Sequence, residues 1–77
     1  MSISVRYFAR LREQLGRSGD ELDAEGIRTP ADAWARANGG DTLPANTLVA
    51  VNQDYASLDS TVRDGDEIAF FPPVTGG

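Results

Sequence analysis

Residues 72–77 are the part of the chain whose residue types and order could do chemistry. Pro72 and Pro73 each fix φ and favour an extended, polyproline-like path, so we expect a stiff arm. Gly76 and Gly77 follow without side chains, which would let a terminal carboxylate enter a tunnel too narrow for any Cβ. A Gly-Gly pair is a weak signal by itself and gains weight only from the prolines before it.

The terminal carboxylate of Gly77 is the candidate reactive group. A carboxylate with a pKa near ~3.5 is ionised at neutral pH and resists nucleophiles. It must therefore be activated first, most simply as an acyl-adenylate made from ATP. Sulfur transfer to that adenylate would give a thiocarboxylate, which is a better nucleophile. Val74 and Thr75 favour the extended geometry that would present this terminus. A frayed end or an expression scar is the alternative interpretation of the same residues.

The side-chain inventory argues against a complete active site within this chain. Its 77 residues suit one domain with a thin core. There is no Cys, which excludes disulfides, thiol nucleophiles and Cys-based metal sites. There is also no His, the commonest general base and transition-metal ligand. We therefore expect no catalytic side chain, no metal site and no bound cofactor.

Charge and hydropathy narrow the expected partners. The chain has 12 acidic and 7 basic residues, a net charge of −5, which disfavours nucleic acid and suits docking on a basic protein surface. Every basic residue is Arg, so no Lys side chain is available for chains of the protein linked by isopeptide bonds. No apolar run approaches the ~20 residues that span a bilayer, and no signal peptide is apparent, so we expect a cytoplasmic location.

The order of helix and strand patterns predicts an α+β fold of the β-grasp type, a mixed sheet packed on one main helix. That helix has the clearest start, because Thr29 can cap it, Pro30 suits its first position and Asp32 complements its dipole. Trp34 is predicted to anchor the core. We expect a domain at 1–71 and an extended arm at 72–77. The predicted strands are 2–8, 20–24, 47–51 and 67–71, with a short strand or irregular segment at 55–58. The predicted helices are 9–15 and 30–37.

Alternation along the first and last strands predicts an aromatic surface close to the arm. Phe8 falls on the opposite face of its strand from the core residues, and so does Phe71. If these strands are neighbours, the two rings share one exposed patch, with Tyr55 as a third candidate. The alternative is that one ring covers a sheet edge or packs under the short helix. The carboxylates of Asp64, Asp66 and Glu67 could steer the protein toward a basic partner, or could simply be solvated in a turn.

Three segments resemble the MoaD family. They are residues 5–13 (VRYFARLRE), the pair Val51-Asn52, and residues 64–77 (DGDEIAFFPPVTGG). The resemblance runs through the whole chain in order and length, and its specificity lies mainly in the last fourteen residues.

The resemblance implies a ubiquitin-like fold and a role as the sulfur carrier subunit of molybdopterin synthase. An adenylating MoeB-type enzyme would activate Gly77 with ATP, and sulfur would then be loaded there as a thiocarboxylate. The arm would enter the large, MoaE-type subunit of a heterotetramer, where cyclic pyranopterin monophosphate becomes molybdopterin during molybdenum cofactor biosynthesis. The expected catalytic residues are Gly76 and Gly77, and the expected partner-binding residues are Phe8, Tyr55, Phe71, Pro72, Pro73, Val74 and Thr75.

Two other functions use a similar terminus, and a third does not use it. A ThiS-type carrier would supply sulfur for thiamin thiazole by the same chemistry, although the run FFPPV resembles the molybdopterin branch. A ubiquitin-like modifier would be attached to other proteins, and the lack of Lys argues only against chains of the protein itself. A plain interaction domain would carry an inert arm.

Overall fold

The computed structural model describes residues 1–40 and 42–73, which form five strands and two helices. In chain order the elements are β1 (Ser2–Tyr7), α1 (Ala9–Leu15), β2 (Gly19–Asp23), α2 (Pro30–Ala37), β3 (Leu48–Val51), β4 (Asp54–Ala56) and β5 (Glu67–Phe71).

The strands form one mixed sheet in the order β2-β1-β5-β3-β4. The central pair, β1 and β5, is parallel, with Val5 opposite Ile68 and Tyr7 opposite Phe70. All other pairs are antiparallel. The connection from β1 to β2 contains α1, so the two antiparallel strands form a hairpin with a wide connection. First and last strands are neighbours, which was the condition for the predicted aromatic surface.

One face of the sheet carries the core. Tyr7 and Phe70 stack there with ring centroids 6.3 Å apart. Trp34 of α2 meets both rings edge-on, at 5.8 Å from Tyr7 and 5.1 Å from Phe70. Trp34 is 4% exposed, so the prediction that it anchors the core is confirmed. Its large ring supplies volume that the alanines of α2 cannot, and such a core tolerates little truncation.

The ends of the elements follow the expected local chemistry with small shifts. The Oγ1 of Thr29 accepts a hydrogen bond from the Asp32 amide at 3.2 Å and caps α2. Gly16 ends α1 in a left-handed conformation. The first strand stops at Tyr7 rather than Phe8. Although the Phe8 amide still bonds the Phe70 carbonyl at 3.1 Å, Ala9 turns the chain with φ +53°.

A polar cluster joins β1 and β2 to the end of α2. The Tyr7 hydroxyl donates to Asp20 Oδ2 at 3.0 Å, and Arg17 Nε donates to the same oxygen at 2.7 Å. Arg17 also donates to the Ala37 carbonyl at 3.0 Å and to Asn38 at 2.8 Å. These bonds satisfy acceptors at the carboxyl end of α2, where a cation is favoured.

Replacement of Tyr7 by Phe tests this cluster through its pH dependence. Burial, together with the hydrogen bond to Asp20, raises the pKa of Tyr7 above its ordinary 10.0. A group whose pKa is raised by folding stabilises the folded state below the unfolded pKa and loses that contribution as the pH rises through the folded pKa. Tyr7→Phe should cost about 1 kcal/mol at neutral pH, and should flatten the decline in stability above pH 10, as measured by urea unfolding. An equally steep decline in both proteins would contradict the assignment.

The turn between β3 and β4 holds two residues with positive φ, Asn52 at +52° and Gln53 at +73°. A two-residue hairpin turn of this kind favours Asn followed by Gly. Asn52 is also fixed by its side chain, which bonds Asp66 at 2.9 Å and the Glu67 amide at 3.0 Å.

Gln53→Gly is therefore expected to raise the free energy of unfolding by about 0.5 kcal/mol, because the left-handed conformation strains a residue that has a Cβ. Gln53→Ala keeps that Cβ and is the matched control, for which we expect no gain. Chemical denaturation of both variants measures the difference. The backbone explanation fails if alanine stabilises as much as glycine.

Candidate functional site

Three aromatic side chains form a surface on the face of the sheet that lies opposite the core. Phe71 lies in the middle, with its ring centroid 6.1 Å from that of Phe8 and 6.0 Å from that of Tyr55, both edge-on. Phe8 is 44% exposed and Tyr55 is 78% exposed. We call Phe8, Tyr55 and Phe71 the aromatic patch. The structure thus places together the three rings that the sequence singled out.

The patch lines an open hollow of about 320 Å³. Ala50 and Ala69 line it too, and they face each other across β3 and β5. Because their side chains are small, the surrounding aromatic rings stand higher than the middle of the sheet. Gln53 and Glu67 complete the lining. An apolar hollow with a polar rim is the surface expected of a protein-docking site.

The carboxylates of Asp64, Asp66 and Glu67 lie at the opposite end of β5 from the arm, and two of them bind other residues of the fold. Asp66 accepts hydrogen bonds from Asn52 at 2.9 Å and from the Arg63 amide at 2.8 Å, which lower the pKa of its carboxyl. Glu67 pairs with Arg6 at 2.8 Å. Steering by these carboxylates stays a prediction, but two of the three already have partners within the fold.

The beginning of the arm lies beside α1. Pro72 and Pro73 line a hollow of about 380 Å³ together with Ala9, Arg10, Arg12 and Glu13 of α1. A second hollow, of about 160 Å³, places Arg10 and the prolines next to the loop before β3. Pro72 is half-buried and Pro73 is exposed. We call the first hollow the arm groove.

The remaining predicted site residues, Val74, Thr75, Gly76 and Gly77, lie outside the described residues. The division of the chain at residue 72 stays a prediction, as does the role given to each site residue. The sequence interpretation missed the arginines of the arm groove. Their spacing within a short helix carried no signal, because only the fold brings α1 to the end of β5.

The described residues offer surfaces for docking rather than a catalytic constellation. Within residues 1–40 and 42–73, no group of three or more acidic residues is arranged to hold a metal ion. No helix in the same part of the chain is long and apolar enough to cross a membrane.

The fold and the aromatic patch define a small β-grasp protein with an exposed aromatic surface close to the end of β5. The sequence model of the ThiS family matches residues 5–77. The chain belongs to this family.

Several relatives are similar to this chain over nearly their whole length. It is 43% identical to the molybdopterin synthase sulfur carrier subunits of Haemophilus influenzae and Escherichia coli, and each alignment covers 97% of this chain and 99% of the relative. The crystal structure of SAMP1 from Haloferax volcanii superposes with a TM-score of 0.80 at 32% identity and full coverage of both chains. The predicted ubiquitin-like β-grasp fold and the predicted membership of the MoaD group are confirmed.

Proposed function

We propose that this chain is the sulfur carrier subunit of a molybdopterin synthase. The observation that carries the proposal is the 43% identity to two such subunits over 97% of the chain. The structure agrees with it, because the aromatic patch and the arm groove flank the start of residues 72–77. The chain then acts as cargo carrier and has no catalytic side chain of its own.

In this proposal the terminal carboxylate of Gly77 is adenylated with ATP by a MoeB-type enzyme and then receives sulfur. Nucleophilic sulfur attacks the activated carbonyl carbon, AMP leaves with the electron pair of the broken C–O bond, and a thiocarboxylate remains. The thiocarboxylate is carried to a MoaE-type large subunit, which converts cyclic pyranopterin monophosphate to molybdopterin. Gly76 and Gly77 suit this transfer because a chain without Cβ atoms fits a narrow channel.

The domain supports this chemistry by holding the arm in a fixed position. Pro72 directly follows the last residue of β5. This strand is hydrogen-bonded on both sides, to β1 and to β3. The first arm residue is therefore anchored to the rigid centre of the sheet. A partner that binds the aromatic patch thereby receives the arm at a defined place, which reduces the entropic cost of threading the arm. A cytoplasmic location stays a prediction.

A second candidate function is protein modification. The observation that favours it is the likeness to small archaeal modifier protein 1 of Haloferax volcanii, which is 33% identical over 94% of this chain. Both functions begin with adenylation of the terminal glycine, and they differ in the acceptor of the acyl group. In modification the acyl group is transferred to a Lys amine of another protein, whereas in sulfur transfer it is transferred to the sulfur of a donor.

Intact mass of the protein distinguishes the two functions. The full chain is incubated with ATP, an adenylating enzyme and a sulfur donor, and then with the large subunit and cyclic pyranopterin monophosphate. A carrier shows oxygen-to-sulfur exchange at its C-terminus, followed by return to the original mass as dithiolene product appears. Joining to other proteins without loss of sulfur to the pterin would favour the modifier. An unchanged mass with a competent adenylating enzyme would falsify both.

Deletion of Gly77 is expected to abolish sulfur loading and to leave stability unchanged, because the residue lies six positions beyond the end of β5. Intact mass measures the loading, and thermal unfolding measures stability. Thr75→Ser, which keeps the terminus, is the control and should load normally. Sulfur delivery by the shortened chain would contradict the terminal-carboxylate chemistry.

Tyr55→Ser is expected to weaken binding to the large subunit about tenfold, because truncation of an aromatic anchor in a docking surface typically costs this much. Stability should change little, since the side chain is 78% exposed. Tyr55→Phe keeps the ring and is the matched control, expected to bind as the wild type does. Isothermal titration with the large subunit checks both, and equal affinity for Ser and wild type would remove Tyr55 from the docking surface.

A further inference from the structure

Among the residues that the structure describes, two arginines of the arm groove lack the internal partners that several other arginines have. Arg6 pairs with Glu67, Arg17 pairs with Asp20, and Arg36 donates to backbone carbonyls. Arg10 and Arg12, by contrast, make no side-chain hydrogen bond or ion pair with any residue of the described ranges 1–40 and 42–73. Both are exposed. Their charges are therefore available to a binding partner.

Their position ties them to the arm. Arg10 and Arg12 line the arm groove with Pro72 and Pro73, and Arg10 also lines the smaller hollow on the side of the loop before β3. Glu13 is the one carboxylate in the lining of the arm groove, so two positive charges stand against one negative charge. The start of the arm is thus locally basic on a chain whose net charge is −5.

In an arm that is fully extended into a partner, these arginines would lie far from the reacting atoms. Four residues separate Pro73 from the end of the chain, and an extended chain spans at most about 3.5 Å per residue. A threaded arm would therefore carry the Gly77 carboxylate roughly 14 Å beyond Pro73. What faces Arg10 and Arg12 in such a complex is the surface around the mouth of the channel.

We infer that the large subunit presents carboxylates around the mouth of the channel that receives the arm, and that Arg10 and Arg12 bind them. The inference rests on the proposed function, and it specifies the charge of the partner surface. A guanidinium offers a planar pair of donors that matches a carboxylate. The net charge of the chain would by itself predict a basic partner surface, so replacement of either arginine by Glu would strengthen binding. The local positive charge predicts an acidic partner surface, so the same replacement would weaken binding.

Charge reversal tests the inference against that alternative. Arg10→Glu and Arg12→Glu should each weaken binding to the large subunit about fivefold, because rim charges contribute modestly, and the double variant should bind more weakly than either. The affinity of the double variant should also depend less steeply on salt than that of the wild type. Titration of the full-length chain with the large subunit at two salt concentrations measures both effects.

Arg28→Glu is the matched control. It makes the same charge change at an exposed residue, and it follows β2, whose last residue Asp23 pairs with Ser2 at the start of β1. Arg28 therefore lies at the opposite end of the sheet from the arm. We expect its affinity to stay within twofold of wild type. Arg12 also lies in the last turn of α1, where a cation stabilises the helix. Thermal unfolding of each variant, and of the neutral variant Arg12→Gln, therefore distinguishes an effect on binding from an effect on folding.

Unchanged or tighter binding of both Arg10→Glu and Arg12→Glu would overturn the inference. An equal loss of affinity for Arg28→Glu would also overturn it, because the effect would then follow net charge. The proposed function is judged separately, by sulfur delivery from the wild type.

Discussion

The parallel pairing of β1 with β5 is the constraint on which the rest of the structure depends. It joins the first and last strands, with Tyr7 opposite Phe70. Parallel strands end at the same edge of a sheet, so the residues that follow them meet. Phe8 and α1 therefore come to lie beside Phe71 and the start of the arm. The contact of Phe8 with Phe71 and the arm groove both derive from that one pairing.

In the same two strands, the side chains that stabilise the core and those available for recognition lie on opposite faces of the sheet. Because side chains alternate across a strand, β5 sends Ile68 and Phe70 into the core and Ala69 and Phe71 to the outer surface. Substitution on the outer face can therefore change binding without loss of the core. A domain of 77 residues has little interior to spare. A role as a sulfur carrier suits such a chain, because in the proposed function the chemistry takes place in partner proteins.

Charge is distributed in a way that the net value of −5 conceals. The carboxylates of Asp66 and Glu67 are paired at the end of the sheet remote from the arm. Arg10 and Arg12, which have no side-chain partner among the described residues, line the same hollow as Pro72 and Pro73. A partner that approaches the arm meets an apolar surface on one side and a basic one on the other. Such an arrangement fixes the orientation of docking as well as its strength.

The sequence by itself determined the order of the helices and strands, with small shifts at their ends. Local signals were sufficient for α2, where Thr29 and Pro30 define the start, and for the buried alternation of β1, because caps and periodicity act within a few residues. Only the tertiary structure decided that Arg10 and Arg12 border the arm and that Ala9 and Gln53 adopt positive φ. The position of Arg10 and Arg12 depends on contact between distant segments, because α1 and β5 meet across about 60 residues of chain and no local pattern encodes that meeting.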